Sequence, residues 1–300
     1  FHNANSAVRK DIWKKFPFDE KTKHIEDKIW GHKIIKNKYQ IMYEPKSSVF
    51  HYHGINQDMN KQRCDEIVKI LENLDNDYKT ENFISPKKAN IVAIVPHYGE
   101  ILKINNQFLI DVTIDSLEQC KIIKKIFVPT DEISFKKHIE KNKLCEVIIR
   151  PKNLSNTYVS IVSLLQYTLK KIENLKIFPD FVVVATENFP FRSNKHFEKI
   201  IKKIIKNNYD AVICDKNEKG SIILKNKNDI NIIVDGVIPK PLFKKKYSTT
   251  RIGFGCVMRP SNIRSGNLLD GKIGTITIND HREYLEVNKF NVKKFNYLKI

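Results

Sequence analysis

After Asn90 the chain repeats one arrangement: a short continuous apolar run, then a stretch of helical periodicity. The runs are Ile91–Val95, Lys125–Val128, Glu146–Ile149, Phe181–Ala185 and Ala211–Cys214. Apolar residues in succession, without polar alternation, describe strands covered on both faces. Between them, Tyr158, Ile161, Leu165, Leu169 and Ile172 recur at helical spacing, as do Phe197, Ile200, Ile201 and Ile204. Strand–helix alternation of this kind predicts an α/β domain, a Rossmann-like (GT-A-like), mostly parallel sheet flanked by helices. Such sheets receive ligands at the carboxyl ends of their strands. Ser221–Val234 reads as a hairpin-like insertion with a polar tip at Asn226–Asp229.

The preceding residues follow another pattern. Ser6 to Phe16 and His24 to Asn37 read as helices, and Tyr39–Tyr43 and Ser47–Tyr52 as strands, so residues 1–55 form an α+β fragment. Residues 56–90 hold an amphipathic stretch from Cys64 to Leu74, then a linker rich in Asn, Asp and Lys. The domains are thus expected at 1–55, 56–90 and 91–300.

The formal charge of +19 invites a polyanion reading. Of the 53 basic residues, however, only eight are Arg, the residue suited to bidentate phosphate and base contacts. The Lys residues are spread along the whole chain, which describes solvated faces and no specific nucleic-acid surface. No CxxC spacing occurs among the five cysteines, so reduced thiols in a cytoplasmic protein are expected. No apolar run is long enough for a transmembrane helix. The chain begins at Phe1, which raises a fragment with residues lost upstream.

Two constellations carry chemistry. In the first, NANSAVRKDIWKKFPFDE is followed by HIEDKIWGHKI and YQIMYEPKSSVFHYHG. Glu26 and Asp27 open a predicted helix, where the dipole favours carboxylates. A charge pair at a helix start is also an ordinary structural feature. With Asn5, Arg9, Trp30 and the terminal His51 and His53, the segment resembles the C-terminal part of a family 2 glycosyltransferase. That resemblance implies Glu26 or Asp27 as the base that deprotonates an acceptor hydroxyl, and His51 or His53 as a contact to metal or diphosphate. The nucleotide-binding half of such an enzyme lies upstream of this pattern.

In the second, IVAIVP ends at Pro96 and leads into a loop holding Gly99 and Lys103, then Phe108-Leu109-Ile110. Val128-Pro129-Thr130-Asp131, Arg150-Pro151 with Leu154 and Ser160, Phe189-Pro190-Phe191-Arg192, and Ile276-Thr277-Ile278-Asn279 with Glu283-Tyr284 follow in order. An aspartate after a strand reads either as a helix N-cap or as a ligand contact. Arg192 reads as a residue near a helix start or a ligand contact. The set resembles the acylneuraminate (CMP-sugar) cytidylyltransferases over about 200 residues.

The resemblance implies an enzyme of surface-glycan (polysaccharide) biosynthesis that binds CTP or a nucleotide-sugar and an acidic sugar, and a homodimer as its assembly. Gly99, Lys103, Thr130, Asp131, Arg150 and Arg192 would contact nucleotide or sugar, and Asp280 a Mg2+ or Mn2+ ion. The family's closing acids fall on Thr277 and Asn279, and the phosphate loop is short. A non-catalytic nucleotide-sugar-binding or docking domain attached to a glycosyltransferase is the alternative.

Overall fold

The computed structural model describes residues 5–22, 25–47, 49, 66–67, 70, 86, 88–156, 158–193, 195–218, 222–225, 230–234 and 247–298. The chain divides into two compact units, Phe1–Phe83 and Ile84–Ile300.

In the first unit, α1 (Lys10–Lys15) and α2 (Glu26–Lys36) bury Ile12, Trp30 and Ile34 against Val8, Phe16, Phe18 and Tyr39. The Trp30 indole donates to the Phe16 carbonyl at 2.5 Å and packs against the Phe18 ring. The expected strand at Tyr39–Tyr43 is irregular chain, and Pro45–Ser47 is a 3-10 turn. The physical reason is exposure. Ile41, Met42 and Tyr43 are 37%, 49% and 67% exposed, so the segment has no buried face to hold a ladder. The described part of this unit is therefore helical rather than α+β. The remainder of the second expected strand, and most of Cys64–Leu74, lies outside the described residues.

The second unit is a mixed α/β domain with a mostly parallel central sheet. Its strands are β1 (Ile91–Ile94), β2 (Lys103–Ile104), β3 (Gln107–Phe108), β4 (Ile123–Thr130), β5 (Cys145–Ile149), β6 (Phe181–Val184), β7 (Ala211–Glu218), β8 (Ile222–Lys225), β9 (Ile230–Val234), β10 (Tyr247–Thr250), β11 (Cys256–Met258) and β12 (Ile273–Thr277). Eight of them form the main sheet, in which β11, β6, β1, β4 and β5 lie side by side. The pairs β6–β1, β1–β4, β4–β5 and β7–β12 are parallel, and β11 runs antiparallel between β6 and β7. β2–β3 and β8–β9 are separate hairpins, the second being the insertion expected from the sequence. The tip of that insertion lies outside the described residues.

The continuous apolar runs are explained by three layers. Ile91, Ala93 and Val95 lie on the side of α3 (Leu109–Gln119), the short α4 (Lys136–Ile139) and α6 (His196–Asn207), with Ile110, Ile114, Ile139, Phe197, Ile200 and Ile204 in the same cluster. Val92 and Ile94 face α5 (Ile161–Asn174) and α7 (Pro260–Ser265), through Leu165, Leu169, Ile172 and Ile263. Each such fully buried side chain stabilises by about 1.5–3 kcal/mol. α5 begins later than its periodicity indicated. The Ser160 hydroxyl caps it by accepting the Val162 N–H at 3.1 Å, and Tyr158 is left 95% exposed. α6 ends at Asn208, whose left-handed φ of +50° turns the chain out of the helix.

β7 is flanked differently along its length. Asp215 pairs with Thr250 on one side and Thr277 on the other, and Val212 pairs with Val257 and Gly274. β10 and β11 therefore follow one another along the same side of β7. Between them Arg251–Gly255 leaves the ladder in a 3-10 turn that buries Phe254. Among the described residues no helix is long and apolar enough to cross a membrane.

Candidate functional site

Because β5, β4, β1 and β6 are parallel neighbours, their carboxyl ends bring four segments together. These are Arg150 after β5, Thr130–Asp131 at the end of β4, Pro96–Gly99 after β1, and Thr186–Glu187 after β6.

The β1 exit is held on three sides. The His97 N–H donates to the Pro129 carbonyl at 3.1 Å, extending the β1–β4 ladder by one step. The Gly99 N–H donates to Asp131 Oδ1 at 3.3 Å. Gly99 has φ +77°, where a side chain is strained, so the turn favours glycine. The third tie runs to β6: His97 Nδ1 lies 2.8 Å from Glu187 Oε1, with both side chains buried. Burial pulls the imidazole pKa down. The Glu187 hydrogen bond and charge, the Gly99 backbone and the Asp131 charge outweigh it and hold His97 above its ordinary value.

Asp131 is not the helix cap. That role falls to Glu132, whose Oε1 accepts the Ser134 N–H at 3.2 Å at the start of the 3-10 turn Ile133–Phe135. Asp131 is thereby left for the Gly99 amide. Arg150 is 8% exposed and donates from Nε to the Pro129 carbonyl at 3.1 Å. Its guanidinium carbon sits 5.9 Å from the centre of the Tyr98 ring. Burial lowers the Arg150 pKa, against the opposing pull of Asp131 and then Tyr98. Thr130 is fully buried, and its hydroxyl accepts the Glu132 N–H at 3.0 Å.

Gly99, Thr130, Asp131 and Arg150 are thus brought to one place. Lys103 sits on the β2–β3 hairpin with its ammonium 4.2 Å from the centre of the Phe108 ring. Arg192 is 6% exposed and commits its donors to protein. Nη1 reaches the Gly253 and Phe254 carbonyls, and Nη2 reaches Thr113 Oγ1 and the Thr186 carbonyl, at 2.8–3.1 Å. Asp280 follows β12, which is separated from β4 by five strand spacings (β1, β6, β11 and β7 intervene), roughly 24 Å at the sheet. Its Oδ1 accepts the Arg282 N–H at 2.8 Å.

Among the described residues no group of three His, Cys, Asp or Glu could hold a metal ion. A Mg2+ ion held largely by substrate phosphates needs only one or two protein carboxylates, and Asp131 stands at this strand end. In the first unit, Glu26 and Asp27 occupy the first turn of α2, and Asp27 Oδ1 accepts the Lys28 N–H at 2.7 Å. His51 and His53 lie outside the described residues.

Residues 100–237 match the cytidylyltransferase family. The matched stretch contributes β4, β5 and β6, and so three of the four strand ends that meet at this site. No curated protein matches the chain. Among solved structures it is similar to 4-diphosphocytidyl-2C-methyl-D-erythritol synthase from Anaerococcus prevotii DSM 20548. That likeness has 15% identity and a TM-score of 0.50, covering 69% of this chain and 95% of that one. A second structure of a 4-diphosphocytidyl-2C-methyl-D-erythritol synthase gives 11% identity and a TM-score of 0.50, covering 70% and 98%. A CMP:2-keto-3-deoxy-manno-octonic acid synthetase complexed with CTP gives 12% identity and a TM-score of 0.46, covering 63% and 90%. The two likenesses with a TM-score of 0.50 speak, at these identities, for the fold alone.

The sequence motifs single out neither Glu187 nor His97. The signal available for Glu187 was its place. It is the first ionisable residue after the central run Phe181–Ala185, at a strand end where packing calls for no charge.

Proposed function

We propose that the second unit is a cytidylyltransferase domain of the acylneuraminate (CMP-sugar) type, which transfers CMP from CTP to an acidic sugar. The observation that carries this reading is the coincidence of the family match with the strand ends bearing Asp131 and Arg150, beside the Gly99 turn. Among the described residues the Arg150 Nη atoms make no hydrogen bond, and this leaves donors for an anion. Tyr98, 41% exposed, offers a ring face to a base.

In the proposed reaction the anomeric hydroxyl oxygen of the sugar forms a bond to the α-phosphorus. The bond from that phosphorus to the bridging oxygen of the β-phosphate breaks, pyrophosphate leaves, and the hydroxyl proton passes to solvent. Catalysis of this kind rests on positioning and charge neutralisation. Arg150 supplies a fixed cation and the Gly99 turn a shaped backbone. Divalent ions are held by phosphates as much as by protein in such chemistry, so magnesium belongs in the assay with the nucleotide.

The test is calorimetric titration of the full chain with CTP and magnesium, with ATP and UDP as controls, followed by pyrophosphate release with eight- and nine-carbon acidic sugars. Selective CTP binding with pyrophosphate release supports the reading. A folded sample that ignores CTP defeats it.

CTP or CMP-sugar binding without turnover is the outcome expected of a second reading, a non-catalytic nucleotide-sugar-binding domain. The observation favouring that reading is the neutral end of β12, where Thr277 and Asn279 stand and Asp280 accepts a backbone amide. For the first unit, we propose Glu26 or Asp27, at the head of α2, as the acceptor-side base of a glycosyltransferase of surface-glycan assembly.

A further inference from the structure

The buried pair His97–Glu187 has no packing rationale. Both side chains are nearly inaccessible, and each spends only one of its two polar atoms on the other. His97 Nε2 and Glu187 Oε2 are buried without a hydrogen-bond partner. Each such atom costs about 1–3 kcal/mol, which an apolar pair of the same volume would avoid. The pair carries the β1–β6 contact past its last ladder bond, from the Ala185 N–H to the Ile94 carbonyl, into the turns that follow. His97 belongs to the turn after β1, and Glu187 to the loop after β6.

The groups acting on the imidazole come from several elements. Glu187 acts from the loop after β6, Asp131 from the end of β4, and the Gly99 backbone from its own turn. Arg150, at the end of β5, interacts with Asp131 and offsets part of that negative charge. The same Asp131 holds the Gly99 N–H, so the proton on His97 and the shape of the Gly99 turn are coupled through one carboxylate.

We propose that His97 and Glu187 form a positioning latch, which fixes the Pro96–Gly99 turn against the end of β6 in the shape that receives the nucleotide's phosphates. The latch rests on the nucleotide-site reading above, but it is a property of the free protein as well. With His97 protonated, the Nδ1–Glu187 contact is an ion pair. On deprotonation the ion pair is lost, what remains is a hydrogen bond from a neutral imidazole to the carboxylate, and the turn loosens.

The sign follows from the raised value of His97. The latch is fully formed below the ordinary imidazole range, near pH 6.5, and is lost as pH rises through the higher folded value. Two readouts are taken on the full chain from about pH 5.5 to about pH 8.5. One is hydrogen exchange at the Gly99 amide without nucleotide, alongside NMR titration of the His97 ring. The other is CTP affinity by calorimetry.

In the wild type, Gly99 protection falls along the His97 titration, and the CTP Kd rises about fivefold over the same interval. His97→Gln flattens both curves, apart from the titration of CTP itself, which this variant isolates. Glu187→Gln lowers the His97 titration and moves the Gly99 inflection with it. Gly99 protection that tracks His97 without CTP binding leaves the latch standing and removes the nucleotide reading. CTP binding with Gly99 protection indifferent to His97 titration overturns the latch, as does a His97→Gln curve with the wild-type inflection.

Discussion

Arg192 holds Phe254: its Nη1 donates to the Phe254 carbonyl at 2.9 Å, at the point where the chain leaves the sheet between β10 and β11. The other Arg192 bonds tie this excursion to Thr113 on α3 and to Thr186 after β6. The guanidinium is fully buried, and burial pulls its pKa down to about 9. It is a cross-link among three segments. Arg192→Ala is expected to cost on the order of 3–5 kcal/mol, because three carbonyls and a hydroxyl lose their donor. Urea denaturation measures this. Arg192→Lys should fall between the two in stability and, in samples that remain folded, leave the CTP Kd unchanged. A stable Arg192→Lys protein that no longer binds CTP would show that this side chain contacts ligand after all.

Glycine substitutions should separate two kinds of constraint. At Gly255, φ is +139° and an added Cβ would lie 2.6 Å from His196 Nε2, so strain and collision add. Gly255→Ala is expected to cost about 2–4 kcal/mol. At Gly99, φ is +77° with nothing within 4 Å of the added carbon. Gly99→Ala should cost only about 1 kcal/mol of backbone strain, while altering CTP affinity through the turn. Thermal unfolding of the two variants side by side checks the order.

His196 predicts a loss of stability in acid. Burial, and then the charge of Arg192, lower its pKa to about 3. An unfolded imidazole takes up its proton near pH 6.5. Between these values the unfolded chain binds more protons, so stability falls as pH falls and levels off below the folded value. This group alone contributes a slope of at most about 1.4 kcal/mol per pH unit. His97 has the opposite sign, its stabilising contribution fading as pH rises. His196→Phe, which suits the ring contacts with Phe197 and Phe254, should flatten the acid limb in denaturation curves taken pH by pH. An unchanged limb would assign the effect to other groups.

Arg150→Met keeps the buried stem and removes the charge beneath Tyr98. CTP affinity is expected to fall roughly tenfold, the worth of one charge-assisted contact. The loss of the single bond to the Pro129 carbonyl should cost about 1 kcal/mol in stability. Calorimetry and thermal unfolding of the same preparation distinguish the two effects.

The five apolar runs and the two helical periodicities were enough to specify the α/β class, because a run such as Ile91–Val95 is tolerable only when helices cover both faces. Order along the chain was also enough to place Asp131 and Arg150 at strand ends. Three things needed the tertiary structure. β11, only three residues long, carries little pattern of its own, and its insertion between β6 and β7 depends on partners distant in sequence. The motif leaves Arg192 open between a helix start and a ligand contact, and the carbonyls it meets, of residues 253 and 254, lie far along the chain. The His97–Glu187 pair spans 90 residues, and no local spacing reports it. Short-range propensity and hydrophobic period are written in consecutive residues, so sequence alone determined the elements and their class. Which polar atoms meet depends on how strands are ordered across the sheet, and only the folded chain decided that.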